Sequence, residues 1–244
     1  MNGKNKVVLA LGAHPDDIEF GCGGTMAKLA ADGAKLIFVI VTLGNRGSRG
    51  NKISAKKLIE SRKQEQREAA KILGAKEVLF LDHEDGGLTV DINLKGEFVK
   101  LIRKYKPDMI FTHDPNWIYQ SRGAISSINH TDHRATGEAV LDAVYPLSRD
   151  LLSFPEHITE GLEPHTVREV YLFNFSDPTF RVDVTRFINK KLESIFAHKS
   201  QMDDTKRVEK WVRERLGLIG KNLPAARHGV GVKYAEGFNR LVLR

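Results

Sequence analysis

The feature that most constrains the fold is a regular alternation of short strand-like runs with amphipathic segments over residues 6–147. The strand-like runs are rich in β-branched residues and end at Gly, Asp or Pro, and residues 36–41 are apolar without alternation. Strands of this kind are typical of a parallel sheet that is buried on both faces. The pattern therefore predicts an α/β, Rossmann-like fold with a mostly parallel sheet and helices on both faces. We expect strands at residues 6–11, 35–43, 77–81, 109–112, 169–175 and 181–184.

The segments between these runs have helical periodicity. The second helix is expected to end at Gly74 and the third before Pro107, because these residues are typical of helix termini. Residues 152–166 are predicted to be a loop, 187–201 and 206–216 to be helical, and 222–244 to be irregular with a short terminal strand. The sequence has no repeat, low-complexity tract or linker, so we expect a single domain over residues 1–244.

Composition excludes several classes of protein. Of 244 residues, 41% are hydrophobic, which is too many for a disordered chain. The single cysteine cannot form an internal disulfide or a four-cysteine zinc ribbon, and no apolar run reaches the ~20 residues of a membrane span. Residues 1–6 are short and polar and carry no evident secretory signal. We therefore expect a cytoplasmic protein.

The formal charge of +7 indicates a basic protein, but the charge is dispersed. Lys and Arg alternate with Asp and Glu in most helical segments, and continuous basic runs are very short. A nucleic-acid-binding surface would need a basic stripe with interleaved aromatic residues. We predict no nucleic-acid partner, while an anionic substrate remains open.

A histidine and several carboxylates follow the first strand, at residues 12–25. Ligands of open α/β sheets bind beyond the carboxyl ends of the strands. A dinucleotide fingerprint is excluded because residues 14–17, His-Pro-Asp-Asp, place negative charge where a pyrophosphate would lie. His14 and Asp17 could instead converge on a metal ion. The alternative is a capping aspartate beside a hydrogen-bonded histidine.

The second motif, residues 129–133 (Asn-His-Thr-Asp-His), lies beyond the fourth strand and opens a helix. A catalytic zinc site needs three protein ligands and one open position. The two histidines of this motif can supply the missing ligand, because segments after the first and fourth strands can meet where the strand order reverses.

The two motifs together resemble the LmbE-like family, also called PIG-L. Further similarity covers nearly the whole chain, at positions 62–65, 73–74, 85–88, 114–116, 198–201 and 234–238. The resemblance implies a zinc-dependent hydrolase that deacetylates a small N-acetylglucosamine-containing substrate. It also implies a homo-oligomer, such as a hexamer.

Carried over by motif position, the resemblance implies a role for each residue of the two motifs. The zinc ligands would be His14, Asp17 and His133. Asp16 would be the general base, His130 would stabilise the oxyanion, best as an imidazolium, and Asp132 would orient His130. These roles agree with the chemistry of metal-assisted amide hydrolysis.

Other residues support less specific hypotheses. The resemblance implies that Arg62 and Asp85 bind substrate, although either could equally form a surface ion pair, Arg62 with Glu65. Residues 44–50 could hold an anionic group or form a lid, and Cys22 is interpreted as a packed residue rather than a thiol ligand.

The substrate itself is left open by the sequence. Residues 117–128 form an insertion relative to many relatives, in which Trp117 and Tyr119 could stack on a sugar or belong to a packed loop. The candidates are diacetylchitobiose, an N-acetylglucosaminyl-malate and an unlinked amino sugar. A non-catalytic sugar- or nucleotide-binding module is the alternative function.

Overall fold

A seven-stranded sheet forms the centre of the chain. The computed structural model describes residues 1–47, 54–122, 125–221 and 232–244, without the side chains of 120–122 and 125. The strands are β1 (Val7–Gly12), β2 (Lys35–Thr42), β3 (Glu77–His83), β4 (Met109–His113), β5 (Tyr119–Arg122), β6 (Ile125–Ile128), β7 (Glu169–Phe173), β8 (Phe180–Asp183) and β9 (Ala235–Val242). The large sheet has the order β3-β2-β1-β4-β7-β9-β8, while β5 and β6 pair separately.

The first five strands of that order are mutually parallel, which confirms the predicted α/β class. β9 pairs antiparallel with both β7 and β8. The chain order reverses at β1, which lies between β2 and β4. A crevice forms at such a reversal, beyond the carboxyl ends of the strands, so the segments that follow β1 and β4 meet there.

Helices cover both faces of the sheet. They are α1 (Asp17–Ala31), α2 (Ala55–Leu73), α3 (Ile92–Tyr105), α4 (Thr131–Asp142), α5 (Pro155–Thr159), α6 (Ile188–Phe196) and α7 (Thr205–Lys221). Alternate residues of β1 enter different cores: Val8 packs with α1, α2, α6 and α7, and Leu9 packs with α3 and α4. Among the residues described, no helix is long and apolar enough to cross a membrane.

Three segments differ from the sequence prediction. The C-terminal strand β9 has eight residues and lies inside the sheet, whereas only a short strand was expected. The predicted loop at 152–166 contains the short helix α5. The 117–128 insertion holds the antiparallel β5–β6 pair, which the sequence analysis did not predict.

The glycine-rich start of α1 allows this helix to approach the sheet closely. A Cβ atom on Gly21 would lie 2.7 Å from the ring of Phe173, and one on Gly24 would lie 2.9 Å from Val184. Cys22 is fully buried in the same core, in agreement with its interpretation as a packed residue. The glycines therefore bring the residues before α1 against the end of the sheet.

Candidate metal centre and active site

The first half of the site is the turn between β1 and α1. Asp16 has a φ of 101° and a ψ of −22°, a left-handed conformation that is costly for a residue with a Cβ atom. Asp17 begins α1, and its Oδ2 accepts a hydrogen bond from the His14 backbone N–H at 2.7 Å. This bond closes the turn and directs both side chains to the same side.

The second half comes from the start of α4. His130 is the N-cap residue, and its Nδ1 accepts a hydrogen bond from the Asp132 backbone N–H at 3.2 Å. His133 follows on the first turn of the helix. Because β1 and β4 are adjacent, this turn faces the turn before α1.

Three side-chain atoms of these segments converge. The Nδ1 atom of His14 lies 3.2 Å from Nε2 of His133 and 3.4 Å from Oδ2 of Asp17. Nε2 of His133 lies 3.2 Å from Oδ1 of Asp17. Two imidazoles and a carboxylate at this separation can hold one divalent cation, with a further position open for a non-protein ligand.

The remaining nitrogen of each imidazole has an oxygen partner. Nδ1 of His133 lies 3.2 Å from the Asn129 side-chain oxygen. Nε2 of His14 lies 3.2 Å from Asp132 and 3.3 Å from Asp85. Such partners fix the tautomer and orientation of metal-binding histidines. Nδ1 of His14 and Nε2 of His133, which face one another, are therefore the nitrogens available to bind a cation.

The charges also fit a cation. Burial lowers the pKa of His14, but hydrogen bonds to Asp132, Asp17 and Asp85 outweigh this effect and raise that pKa to about 12. Burial raises the pKa of Asp17, but His133 and His113 outweigh it and hold that pKa well below its usual range. The carboxylates around His14 thus favour a positive charge between the candidate ligands.

A second group of candidate ligands overlaps the first and consists of His14, Asp85, His130 and Asp132. Its carboxylates already accept backbone hydrogen bonds. Asp132 accepts from the N–H groups of Gly86 at 2.6 Å and Leu88 at 3.3 Å, and Asp85 accepts from the N–H of Arg46 at 3.1 Å. Both oxygens of Asp132 and Nδ1 of His130 are thus occupied by backbone N–H groups, whereas Asp17 uses only Oδ2 in this way and keeps Oδ1 facing His133 Nε2. The group of His14, Asp17 and His133 therefore fits a cation better.

Asp16 directly precedes the candidate ligand Asp17, and its side chain contacts Arg62. Burial raises the pKa of Asp16 to about 6, although the Arg62 guanidinium opposes the increase. Nη2 of Arg62 is 3.5 Å from Asp16 Oδ2, and the guanidinium also donates to the carbonyls of Pro15 and Gly44 at 2.6 and 2.9 Å.

The surface ion pair considered for Arg62 is wrong, because this side chain is buried. Glu65, its expected partner, instead accepts hydrogen bonds from Ser200 at 2.7 Å.

His130 and Asp132 are brought together, but their side chains are not in hydrogen-bond contact. Nδ1 of His130 is 3.9 Å from Oδ2 of Asp132, whereas Nε2 of His14 is 3.2 Å from that oxygen. Burial, His14 and His133 lower the pKa of His130, and this shift favours the neutral imidazole rather than the expected imidazolium.

His113 also belongs to the site, although no role was expected for it from the sequence. Its Nε2 is 3.1 Å from Asp17 Oδ2, and its ring stacks on His133 with centroids 4.1 Å apart. Its place at the end of β4, beside β1, was the only available signal. His113 supports two of the candidate ligands from the sheet side.

Two adjoining cavities lie next to the centre. One of about 330 Å³ is bordered by Asp17, His130 and His133. A second of about 510 Å³ extends towards residues 174–177 and 215. Four residues line both cavities: Asp114, Trp117, Phe175 and Trp211. Tyr119, which could stack on a sugar, is 70% exposed.

The predicted loop at residues 44–50 is described only in part. Arg46 lies beside the site, near Gly86, whereas residues 48–50 fall outside the described chain.

The family model for PIG-L, described as GlcNAc-PI de-N-acetylase, matches residues 9–144. This chain belongs to the PIG-L family. The match begins in β1 and ends just beyond α4, so it includes both halves of the candidate metal centre.

Several relatives of this PIG-L protein are deacetylases by name. A diacetylchitobiose deacetylase of Thermococcus kodakarensis is 29% identical over 95% of this chain and 84% of that protein. A probable N-acetyl-alpha-D-glucosaminyl L-malate deacetylase 2 of Bacillus anthracis is 28% identical over 80% of each chain. The structure of N,N'-diacetylchitobiose deacetylase from Pyrococcus horikoshii, in complex with an inhibitor, matches with a TM-score of 0.86 and 30% identity, over 97% of this chain and 84% of that one.

Proposed function

We propose that this PIG-L protein is a zinc-dependent N-deacetylase that hydrolyses the acetamide of an N-acetylglucosamine-containing substrate to acetate and a free amine. The observation that carries this proposal is the convergence of His14, Asp17 and His133 beside a cavity that His130 also lines, with Asp16 directly before Asp17 in the same turn. A binding module needs neither a general base nor an oxyanion donor beside a metal site, which argues against the non-catalytic alternative.

His14, Asp17 and His133 would hold the zinc ion. Two nitrogens and one carboxylate oxygen are a ligand set that zinc accepts in hydrolases. When bound, the ion would supply Lewis acidity, lowering the pKa of water towards ~7 and polarising a carbonyl. Asn129 and Asp132 would keep the two imidazoles in place, as outer hydrogen-bond partners do in other metal sites.

Asp16 would act as the general base. Its side chain is about 20% exposed, so water can reach it, and burial holds its pKa near the range in which a base is effective. As water adds to the acetamide carbon, Asp16 takes the proton. Asp16 then returns this proton to the nitrogen as the C–N bond breaks, which balances the overall hydrolysis.

His130 would stabilise the negative charge that develops on the carbonyl oxygen. Its Nδ1 accepts the Asp132 N–H, so the neutral ring carries its proton on Nε2 and can donate a hydrogen bond. The side chain is 44% exposed, and its ring lies 4.6 Å from that of His14, next to the proposed ion. A fixed donor at this position lowers the barrier.

The two cavities favour a disaccharide substrate such as diacetylchitobiose. The reacting sugar would occupy the cavity beside His133, and the second sugar would enter the adjoining one between Trp117 and Trp211. Aromatic faces and amide side chains, such as those of Asn116 and Asn174, suit neutral sugars. The malate glycoside would need cationic groups; Arg215 lines this cavity, but its guanidinium lies over the Phe175 and Trp211 rings.

A panel of three substrates tests the proposal. Acetate release would be measured with zinc-loaded protein on diacetylchitobiose, N-acetylglucosaminyl-malate and N-acetylglucosamine, with Asp16→Asn as the inactive control. We expect the highest kcat/KM for diacetylchitobiose and a loss of at least ~100-fold in the control. Release from none of the three would contradict the deacetylase proposal, and preference for the malate glycoside would contradict the assignment of the second cavity. The family resemblance also supports a homo-oligomer, whose size ultracentrifugation would test, whereas the expectation of a cytoplasmic protein rests on composition alone.

A further inference from the structure

The turn that carries Asp16 is held by a buried glutamine on another helix. Gln66 lies on α2 and is fully buried, and its Oε1 accepts a hydrogen bond from the Asp16 backbone N–H at 3.0 Å. Its Nε2 donates to Oε1 of Glu19, also fully buried, at 2.8 Å. A carboxylate only accepts hydrogen bonds, so the amide nitrogen of Gln66 must face Glu19 and its oxygen must face Asp16.

Glu19 is itself fixed from the opposite side. Its Oε2 lies 3.3 Å from Nε2 of His198, and its carbonyl oxygen accepts a hydrogen bond from Lys191 at 2.7 Å. Both of these partners are buried. The carboxylate that orients Gln66 therefore belongs to a network anchored in α6 and in the segment that follows it.

Helix α2 makes a second contact with the peptide group whose N–H is bound by Gln66. Arg62, one helical turn before Gln66, donates to the Pro15 carbonyl at 2.6 Å. The carbonyl of Pro15 and the N–H of Asp16 are the two polar ends of one peptide group, so α2 holds both. A peptide held at both ends cannot rotate freely.

Restraint of this peptide matters because Asp16 adopts a left-handed conformation, which is unfavourable for a residue with a Cβ atom. Without the bond from Gln66, the buried N–H would lose its partner and the turn could relax. The carboxylate of Asp16 would then move relative to the cavity. A displacement of about 1 Å in a reacting group can reduce a rate by ~100-fold.

We propose that Gln66 is a positioning residue that holds the Pro15–Asp16 peptide, and through it the carboxylate of Asp16, in the geometry needed for proton transfer. This inference rests on the proposed function of Asp16 as the general base. Gln66 does not reach the ligand group of His14, Asp17 and His133 through any of its described hydrogen bonds. Its loss should therefore affect turnover rather than metal content.

The test compares Gln66→Met with a charge-preserving double variant. Met fills a similar volume but forms neither hydrogen bond, so we expect kcat on diacetylchitobiose to fall about 10- to 100-fold, with KM and zinc per chain little changed. Gln66→Glu alone places two carboxylates together and should also lose activity. Adding Glu19→Gln exchanges the amide and the carboxylate, restores both hydrogen bonds at unchanged net charge, and should recover most of kcat.

Leu73→Ala serves as the control for stability, because Leu73 is a buried apolar residue at the C-terminal end of α2, about two turns beyond Gln66. It should lower the free energy of unfolding while leaving kcat unchanged. An unaltered kcat in Gln66→Met, or no recovery in the double variant, would overturn the inference.

A readout independent of activity separates this inference from the proposed function. In Gln66→Met, hydrogen exchange of the Asp16 amide should accelerate at least tenfold relative to the Leu9 amide of β1, and a crystal structure should show Asp16 outside the left-handed region. Retention of both the exchange rate and the conformation would overturn the role of Gln66 even if no substrate were found. Absence of acetate release by the unmodified protein would count only against the deacetylase.

Discussion

Substitution of Asp132 by Asn tests which histidine this carboxylate serves. Asp132 is fully buried and accepts hydrogen bonds from the N–H groups of Gly86 and Leu88, while its Oδ2 lies 3.2 Å from Nε2 of His14. Asparagine has the same shape but no charge, and its amide nitrogen must face one of these donors. We expect His14 to be held less firmly as a metal ligand.

The size of the expected loss of zinc affinity follows from the hydrogen bond that is lost. A hydrogen bond between a charged group and its partner contributes about 1.5–3 kcal/mol. Because Asp132 is shielded from solvent, no allowance for screening is needed. At ~1.4 kcal/mol per factor of ten, the dissociation constant of zinc should rise about 10- to 100-fold, in line with other substitutions of this kind.

Competition with a chromophoric chelator measures this constant directly. Asp91→Asn is the matched control, because Asp91 caps α3 away from the site and Asn is an equally good cap. Its zinc affinity should equal that of the unmodified protein. If Asp132→Asn kept its zinc affinity and lost only kcat, Asp132 would act through His130, as the sequence resemblance implies, and our reasoning from His14 would be refuted.

Three further predictions concern pH dependence and stability. Arg62→Gln removes a positive charge that lowers the pKa of Asp16. The acidic limb of the kcat/KM profile, where the base becomes protonated, should therefore move to higher pH. A limb that stays in place would contradict the assignment of Asp16 as the general base. Gly21→Ala places a methyl group against an aromatic ring of β7 and should lower the free energy of unfolding by about 1–3 kcal/mol in urea denaturation. Lys191→Met leaves the buried carboxylate of Glu236 without its 2.7 Å cation and should cost about 3–5 kcal/mol by the same measurement, whereas a change below 1 kcal/mol would refute the importance of this pair.

The sequence predicts the parallel part of the fold because that part is encoded locally. Residues 36–41 are continuously apolar and form a strand buried on both faces, and Gly74 ends α2 as expected. The position of β9 is not encoded locally. Residues 235–242 enter the sheet by pairing with β7 and β8, and this pairing depends on contacts distant in sequence.

The sequence likewise predicts only part of the candidate site. The two motifs predict which residues could come together, because both follow strands that lie side by side. The partners of these residues are harder to find. Gln66 acts on Asp16 across 50 positions, and His113 is a lone histidine at a strand end. Neither has a sequence spacing that indicates its contact, so three-dimensional packing was needed to find them.

The proposed function depends most directly on a zinc ion held by His14, Asp17 and His133. Diffraction from zinc-soaked crystals, recorded at the zinc absorption edge, would locate the ion by its anomalous signal. We predict one strong peak within about 2.0–2.3 Å of His14 Nδ1, Asp17 and His133 Nε2. A peak placed instead among Asp85, His130 and Asp132, or the absence of any peak at this site, would contradict the account.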